Sequence, residues 1–150
     1  MRSFTFRLET LLRLRKNARD RALAEYAMSI EKRELAESKV EEADLYLIKL
    51  NKSLSAKSQR LFLGNEMLAF QEQIKNAKIL KDKFVRELSS LSSIESSRRN
   101  VFLQKEADFK SLDRYKERKA GEHLAYELKK EEKEQEDIIS SRFVFNRAHP

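Results

Sequence analysis

Apolar residues recur at spacings of three and four along most of the chain, which is the pattern of a helix that packs in a coiled coil. In the first half these spacings alternate strictly, at Ala36, Val40, Ala43, Leu47, Leu50 and Leu54. A second run begins after Asn65 and comprises Met67, Phe70, Ile74, Ala77, Phe84, Leu88, Leu91, Phe102, Phe109, Leu112 and Tyr126. The pattern predicts an all-α chain with two long helices.

Gly64-Asn65 is the strong turn signal in the interior of the sequence, because both residues tolerate the backbone angles of tight turns. We therefore place helix one at about 5–57, a loop at about 58–65, helix two at about 66–138 and a tail at 139–150. Neither helix can bury its apolar stripe alone. The sequence thus predicts a single elongated domain, a long antiparallel coiled-coil hairpin whose second helix is longer than the first.

Composition supports helices and narrows the chemistry. The 150 residues include only two Gly and one Pro, too few for the many turns of a β-sandwich, and 38% of them are charged. The absence of Cys removes disulfides and thiol catalysis and fits a reducing compartment. Apolar runs such as Leu45–Ile48 are far too short to span a membrane, so we expect a cytoplasmic protein.

Candidate catalytic or metal-binding groups are sparse in the sequence. Two glycines cannot supply the consecutive backbone N–H groups of a phosphate cradle. His123 has Glu127 one helical turn away, but such a pair offers two ligands at most, whereas structural zinc needs four. A two-helix hairpin also lacks the interior that shifts the pKa of catalytic carboxylates. We therefore expect no enzyme activity, no catalytic residues, no cofactor and no metal site.

Positive charge is concentrated at the N-terminal end. The whole chain carries a formal net charge of +7, and residues 1–21 contain seven basic against two acidic side chains. Such an end can bind an acidic protein, a nucleic acid or an anionic membrane surface, and it also imitates an organellar transit peptide. The transit interpretation is disfavoured because the helical pattern continues well past any cleavage point.

The segment Phe4–Arg15, with the sequence FTFRLETLLRLR, resembles the opening of the FliJ family. Members of that family begin with an aromatic-X-Phe-(Arg/Lys)-Leu-X-X-Leu-Leu-X-X-Arg pattern that runs into a long helix. Their length near 150 residues, their uneven helical hairpin and the apolar-aromatic opening of their second helix, here Met67–Ile74, are also similar. The stalk proteins of virulence-associated type III secretion are closely similar to this family.

The resemblance implies a non-enzymatic component of the flagellar type III export apparatus. FliJ-type proteins are similar in fold to the central stalk of rotary ATPases, and their paired terminal ends insert in the hexameric export ATPase. Their hairpin end contacts the cytoplasmic domain of the export gate, a membrane protein, and they also bind export chaperones. The location that this implies is cytoplasmic and peripheral, at the inner face of the cell membrane.

Two sets of residues carry these contacts if the resemblance is transferred position by position. The expected ATPase contacts are Phe4, Phe6, Arg7, Leu8, Leu11, Leu12, Arg13, Arg15 and Lys16. The expected export-gate contacts are Ala36, Val40, Ala43, Leu47, Phe70, Ile74 and Ala77. Several of these also fit the seam between the helices.

One seam cannot bury every apolar residue near the loop. Adjacent helical residues point about 100° apart, so part of the group Leu45, Tyr46, Ile48, Leu68 and Phe70 must face outward. The sequence also leaves two other functions open. The chain could be a basic coiled-coil protein associated with nucleic acid or the ribosome, or its residues 2–21 could form a membrane-surface helix.

Overall fold

The computed structural model describes residues 2–58 and 64–148. Helix α1 spans Glu9–Ser58 and helix α2 spans Gly64–Ala148, and the described residues contain no strand. The two helices pack against each other, so the chain is an all-α helical hairpin with the longer helix second. The predicted fold class is confirmed.

The helix boundaries differ from the prediction at three places. Helix α1 begins at Glu9 rather than near residue 5, and residues 2–6 are not helical. Gly64 and Asn65 belong to the first turn of α2, while most of the predicted loop, residues 59–63, lies outside the described residues. Helix α2 continues to Ala148, ten residues beyond its predicted end. The segment 139–148 is therefore helix, because it contains no Gly or Pro that would end one.

A short turn leads the chain into α1. The amide of Glu9 donates to the carbonyl oxygen of Phe6 at 3.3 Å, and the amide of Leu12 donates to the carbonyl oxygen of Leu8 at 2.9 Å. The Glu9 carboxylate lies in the first turn, where the helix dipole favours negative charge. The turn leaves the preceding aromatic residues in an extended segment, where helical periodicity no longer governs their direction.

The contacts divide the chain into two compact units. The loop-side unit is Asp20–Leu103, and the terminal unit combines Met1–Arg19 with Gln104–Pro150. In the loop-side unit the buried residues of α1 recur every seven positions, at Ala22, Ser29, Ala36, Ala43 and Leu50. Leu50 forms a buried cluster with Ile74 and Ala77 of α2. This strict seven-residue period is the signature of a coiled-coil seam.

Polar contacts fix the register of the loop-side unit. Arg33 Nε lies 2.5 Å from Glu95 Oε2 across the seam, and its Nη1 lies 2.8 Å from Glu37 Oε1 on the same helix. The hydrogen bonds that Arg33 donates to the Glu37 and Glu95 carboxylates raise the pKa of Arg33 above its ordinary value. Further along the unit, Lys81 Nζ lies 2.7 Å from Asp44 Oδ1. A slide of one helix along the other would separate these oppositely charged pairs, so the polar contacts favour one alignment.

The terminal unit has a core of its own. Phe6, Leu12 and Leu112 form a buried cluster, against which Phe4, Leu8 and Phe109 pack. The N-terminal segment thus packs on the same part of α2 as Leu12 of α1. No helix among the described residues is long and apolar enough to cross a membrane.

Candidate interaction surfaces

The N-terminal aromatic segment is held on α2 by tilted ring contacts and one hydrogen bond. The ring centroids of Phe6 and Tyr115 are 6.0 Å apart, and those of Phe4 and His123 are 5.7 Å apart. His123 Nε2 donates to the carbonyl oxygen of Arg2 at 2.9 Å. These contacts dock residues 2–8 along the side of α2. We call this docked segment the N-terminal clasp.

Four of the nine expected ATPase contacts belong to the core of the terminal unit. Phe6 and Leu12 are buried, and Phe4 and Leu8 are half-buried against the same cluster. Their first role is therefore to hold the clasp on α2, and they offer a partner little surface while it is docked. The prediction placed Phe6 and Leu8 in helix one, because the turn before Glu9 is not visible in the apolar periodicity.

Most of the expected cationic contacts do lie at the surface. Arg7, Arg13 and Lys16 are exposed, and Leu11 is exposed beside them. Arg15 differs, because its Nη1 donates to the backbone oxygen of Asp108 at 2.8 Å across the helix pair. We call Arg7, Arg13 and Lys16 the basic collar.

A shallow cavity of about 340 Å³ adjoins the basic collar. Its apolar wall consists of clasp residues and Tyr115, and its cationic groups are Arg7 and Lys119. Lys119 Nζ also lies 3.1 Å from Glu122 Oε2. Cations beside aromatic rings favour a ligand that is apolar in part and negatively charged in part. The cavity was not anticipated from the sequence, because it depends on the docking of the clasp.

The expected export-gate contacts lie in the seam of the loop-side unit. Ala36, Ala43, Ile74 and Ala77 are buried, and three more are half-buried, namely Val40, Leu47 and Phe70. Residues at the strict heptad positions face the other helix, so these residues contribute first to the seam, and their contact with an export gate stays a prediction. The four buried residues cannot reach a partner while the helices are packed.

The outward surface near the loop consists of neighbouring residues instead. Leu45 and Leu68 are each 65% exposed, and Tyr46 and Ile48 are also exposed. The prediction that part of this apolar group faces outward is confirmed. On α1 a groove is lined by Leu45, Ile48, Lys49, Lys52, Ser53 and Ala56. We call this groove the outer patch. Its two lysines give an apolar surface a positive rim, a feature that was not predicted from the sequence.

The last turns of α2 expose a second apolar group. Ile138, Ile139, Phe143, Val144 and Phe145 are between 54% and 66% exposed. We call these five residues the C-terminal cluster. The prediction of a tail at 139–150 did not anticipate this cluster, because it ended helix two at residue 138.

Residues 2–58 and 64–148 contain no group of three or more side chains arranged to hold a metal ion. His123, one of the two candidate ligands that the sequence raised, bonds a backbone oxygen in the clasp. Comparisons with family models, curated proteins and solved structures found no match to this chain.

Proposed function

We propose that this protein is a non-enzymatic stalk and adaptor of a flagellar-type protein export apparatus. The observation that carries the proposal is the segment Phe4–Arg15, whose sequence resembles the opening of the FliJ family. The all-α hairpin with a longer second helix is compatible with that family's fold. In this proposal the terminal unit binds the hexameric export ATPase and the loop-side unit contacts the export gate.

Charge placement supports the contact with the ATPase. A stalk inside a hexamer meets six copies of the same loop, so one fixed ion pair cannot serve every orientation. The exposed cations of the basic collar would attract each acidic loop about equally and would steer the first encounter. Leu11 and the cavity beside the collar then offer apolar surface for close packing, as in the centre of an interface.

The outer patch supports the contact with the export gate. Leu45, Tyr46 and Ile48 are exposed near the loop, whereas four of the seven residues first expected there are buried in the seam. Contiguous exposed apolar surface on a protein commonly marks a binding site. The proposed gate contacts are therefore the outer patch together with the half-buried Leu47 and Phe70. The same proposal includes binding of export chaperones and a cytoplasmic position peripheral to the membrane.

A charge-reversal experiment tests the ATPase contact. Arg7→Glu, Arg13→Glu and Lys16→Glu are combined in one variant, and binding to a purified hexameric export ATPase is measured with the rate of ATP hydrolysis. We expect association to slow roughly tenfold at low salt, with a smaller effect at high salt, because exposed charges act within about 10 Å at 0.1 M. The matched control reverses three exposed lysines of the loop-side unit, Lys75, Lys78 and Lys83.

Full activation of the ATPase by the collar variant would refute the assigned role of the collar. Salt-dependent filter binding of the natural chain to nucleic acid would then support the nucleic-acid function, because phosphate contacts weaken steeply with salt. Flotation with anionic liposomes would support the membrane-surface function. A separate variant, Leu45→Ser with Ile48→Ser, tests binding to the gate domain against Leu35→Ser, which changes an exposed leucine elsewhere on α1.

A further inference from the structure

The cavity beside the N-terminal clasp is formed jointly by the clasp and α2. Residues 4–8 of the clasp line one part of it, and Tyr115 and Lys119 of α2 line the rest. All of these residues belong to the terminal unit. A molecule bound in this cavity, which we call the clasp cavity, would touch both segments at once. Its binding and the docking of the clasp are therefore linked, because a ligand that binds one state stabilises that state.

The clasp cavity is small and its walls are mostly apolar. Its volume of about 340 Å³ lies near the lower end of the range for ligand sites in proteins, roughly 300–1,000 Å³. Phe6 is buried, and Phe4 and Leu8 are half-buried. Tyr115 is 36% exposed and closes the wall on the side of α2. The space suits a single bulky apolar side chain, such as Phe or Leu, with a short stretch of its backbone.

Positive charge surrounds the clasp cavity. Four cations line it or lie within about 6 Å of the centroids of its rings, namely Arg7, Lys116, Arg118 and Lys119. Glu9 Oε2 lies 2.8 Å from Lys116 Nζ, and Glu122 Oε2 lies 3.1 Å from Lys119 Nζ. Arg7 forms no ion pair within residues 2–58 and 64–148. The described residues that line the cavity include no acid, so the cavity favours a ligand with negative charge beside its apolar group.

The rings of the clasp cavity are poorly placed for stacking on nucleic-acid bases, which requires an open ring face. Phe6 is buried, and its ring centroid lies 6.0 Å from that of Tyr115. Arg118 Cζ and Lys119 Nζ lie 5.1 and 5.6 Å from the centroid of the Tyr115 ring. The rings therefore act as walls that admit a side chain. An acidic peptide fits this arrangement better than a nucleic acid does.

We propose that the clasp cavity binds a short acidic segment of a partner protein. One bulky apolar side chain of that segment enters the cavity, and carboxylates on either side of it meet Arg7 and Lys119. The bound segment bridges the clasp and α2 and holds the clasp docked. This proposal does not rest on the export function, because it defines the chemistry of the bound segment and not the protein that supplies it.

Titration of the full chain with three synthetic peptides tests the chemistry of the ligand. The probe is Glu-Glu-Phe-Glu-Glu with blocked ends, and the controls are Glu-Glu-Ala-Glu-Glu and Lys-Lys-Phe-Lys-Lys. We expect the probe to bind with a Kd of about 0.1–1 mM by NMR titration, because a shallow cavity gives it few contacts. Each control should bind at least about tenfold more weakly, because it lacks either the apolar side chain or the negative charge.

Filling the cavity tests where the probe binds. Thr5 is exposed and lines the cavity, so Thr5→Trp places a large side chain in the space and should weaken binding at least about tenfold. Thr10→Trp is the matched control, since it makes the same change at an exposed threonine outside the lining, and it should alter the Kd by less than about twofold. Circular dichroism checks that both variants keep their helix content.

Neutralising the lining tests the role of charge. Arg7→Gln with Lys119→Gln should weaken binding of the probe by about fivefold at low salt, and less at high salt, because exposed charges are screened. Lys75→Gln with Lys78→Gln makes the same charge change at exposed lysines of the loop-side unit and should leave the Kd unchanged.

Amide exchange tests the link to docking of the clasp. The amides of Glu9 and Leu12 bond to carbonyl oxygens of Phe6 and Leu8. With free probe at ten times its Kd, these amides should exchange about tenfold more slowly, because the probe binds only the docked state. The same slowing is expected in Thr10→Trp and should be absent in Thr5→Trp.

Three results would overturn the proposal. Equal affinity for the Phe and Ala peptides would show that the apolar space is not used. Unchanged exchange at Glu9 and Leu12 in the presence of saturating probe would show that it binds elsewhere. The third is a chain that fails to bind the probe but binds vesicles of anionic phospholipid, with that binding lost in Thr5→Trp alone. Binding of the probe by a chain that does not bind an export ATPase would support this inference and count against the export function.

Discussion

Phe6→Ala tests whether the N-terminal clasp is held by its aromatic core. Phe6 is 8% exposed and packs with Leu12 and Leu112, and its ring lies 6.0 Å from that of Tyr115. Truncating a buried Phe to Ala costs about 3–5 kcal/mol. We take the lower value, about 3 kcal/mol, because the cavity beside the clasp already admits solvent.

We expect Phe6→Ala to shift the clasp toward its undocked state rather than to unfold the two helices. Residues 2–6 lie outside α1, so they can leave α2 while both helices remain packed. A loss of about 3 kcal/mol is a factor of roughly 100 in the equilibrium between docked and undocked states. We expect the amides of Glu9 and Leu12, which bond to clasp carbonyl groups, to exchange with solvent up to about 100-fold faster. Helix content should change little.

Hydrogen exchange read by NMR measures this effect directly. Phe143→Ala is the matched control, because it makes the same chemical change at a residue that is 64% exposed. It should alter stability by less than about 0.5 kcal/mol and leave the two amides unchanged. Unchanged exchange at Glu9 and Leu12 in Phe6→Ala would show that the aromatic core does not hold the clasp. Equal acceleration in both variants would show that the effect is not local.

Three further predictions concern the loop-side unit. Leu50→Ala should lower the free energy of unfolding by about 2–4 kcal/mol and the melting temperature by roughly 4–16 °C. In the same thermal denaturation experiment, Leu45→Ala, at an exposed position, should shift the melting temperature by less than about 2 °C. Ala36→Leu should lower the free energy of unfolding by about 1–3 kcal/mol, because a larger side chain overpacks a seam position that holds a small residue. An unchanged midpoint of denaturant-induced unfolding would contradict this prediction. The pKa of Arg33 is higher in the folded chain than the ordinary pKa of arginine, so the charged side chain stabilises the fold at any pH below that ordinary pKa. This stabilisation is lost only when the pH rises through the still higher pKa of the folded state. The contact between Arg33 and Glu95 should therefore persist from about pH 6 to 10, and a cross-helix distance that increases in that range would refute the assignment.

The sequence by itself determined the fold class and the seam of the loop-side unit. Ala36, Ala43 and Leu50 were recognisable because the period of a coiled coil is a local property that a one-dimensional pattern records. The same pattern required some apolar residues near the loop to face outward, since one helix has only one seam. The resemblance of Phe4–Arg15 to a known family likewise needs no coordinates.

Tertiary structure decided which residues remain available for binding. The sequence predicts that Phe6 belongs to a helix. In the structure Phe6 lies in the extended clasp, because a turn at Phe6–Glu9 redirects the chain onto α2. The sequence pattern allows Ile74 to be either a seam residue or a surface residue. It is buried because α1 packs against it. Periodicity fixes the direction of a side chain relative to its own helix. What that side chain meets depends on contacts between segments far apart in the chain, which no local pattern contains.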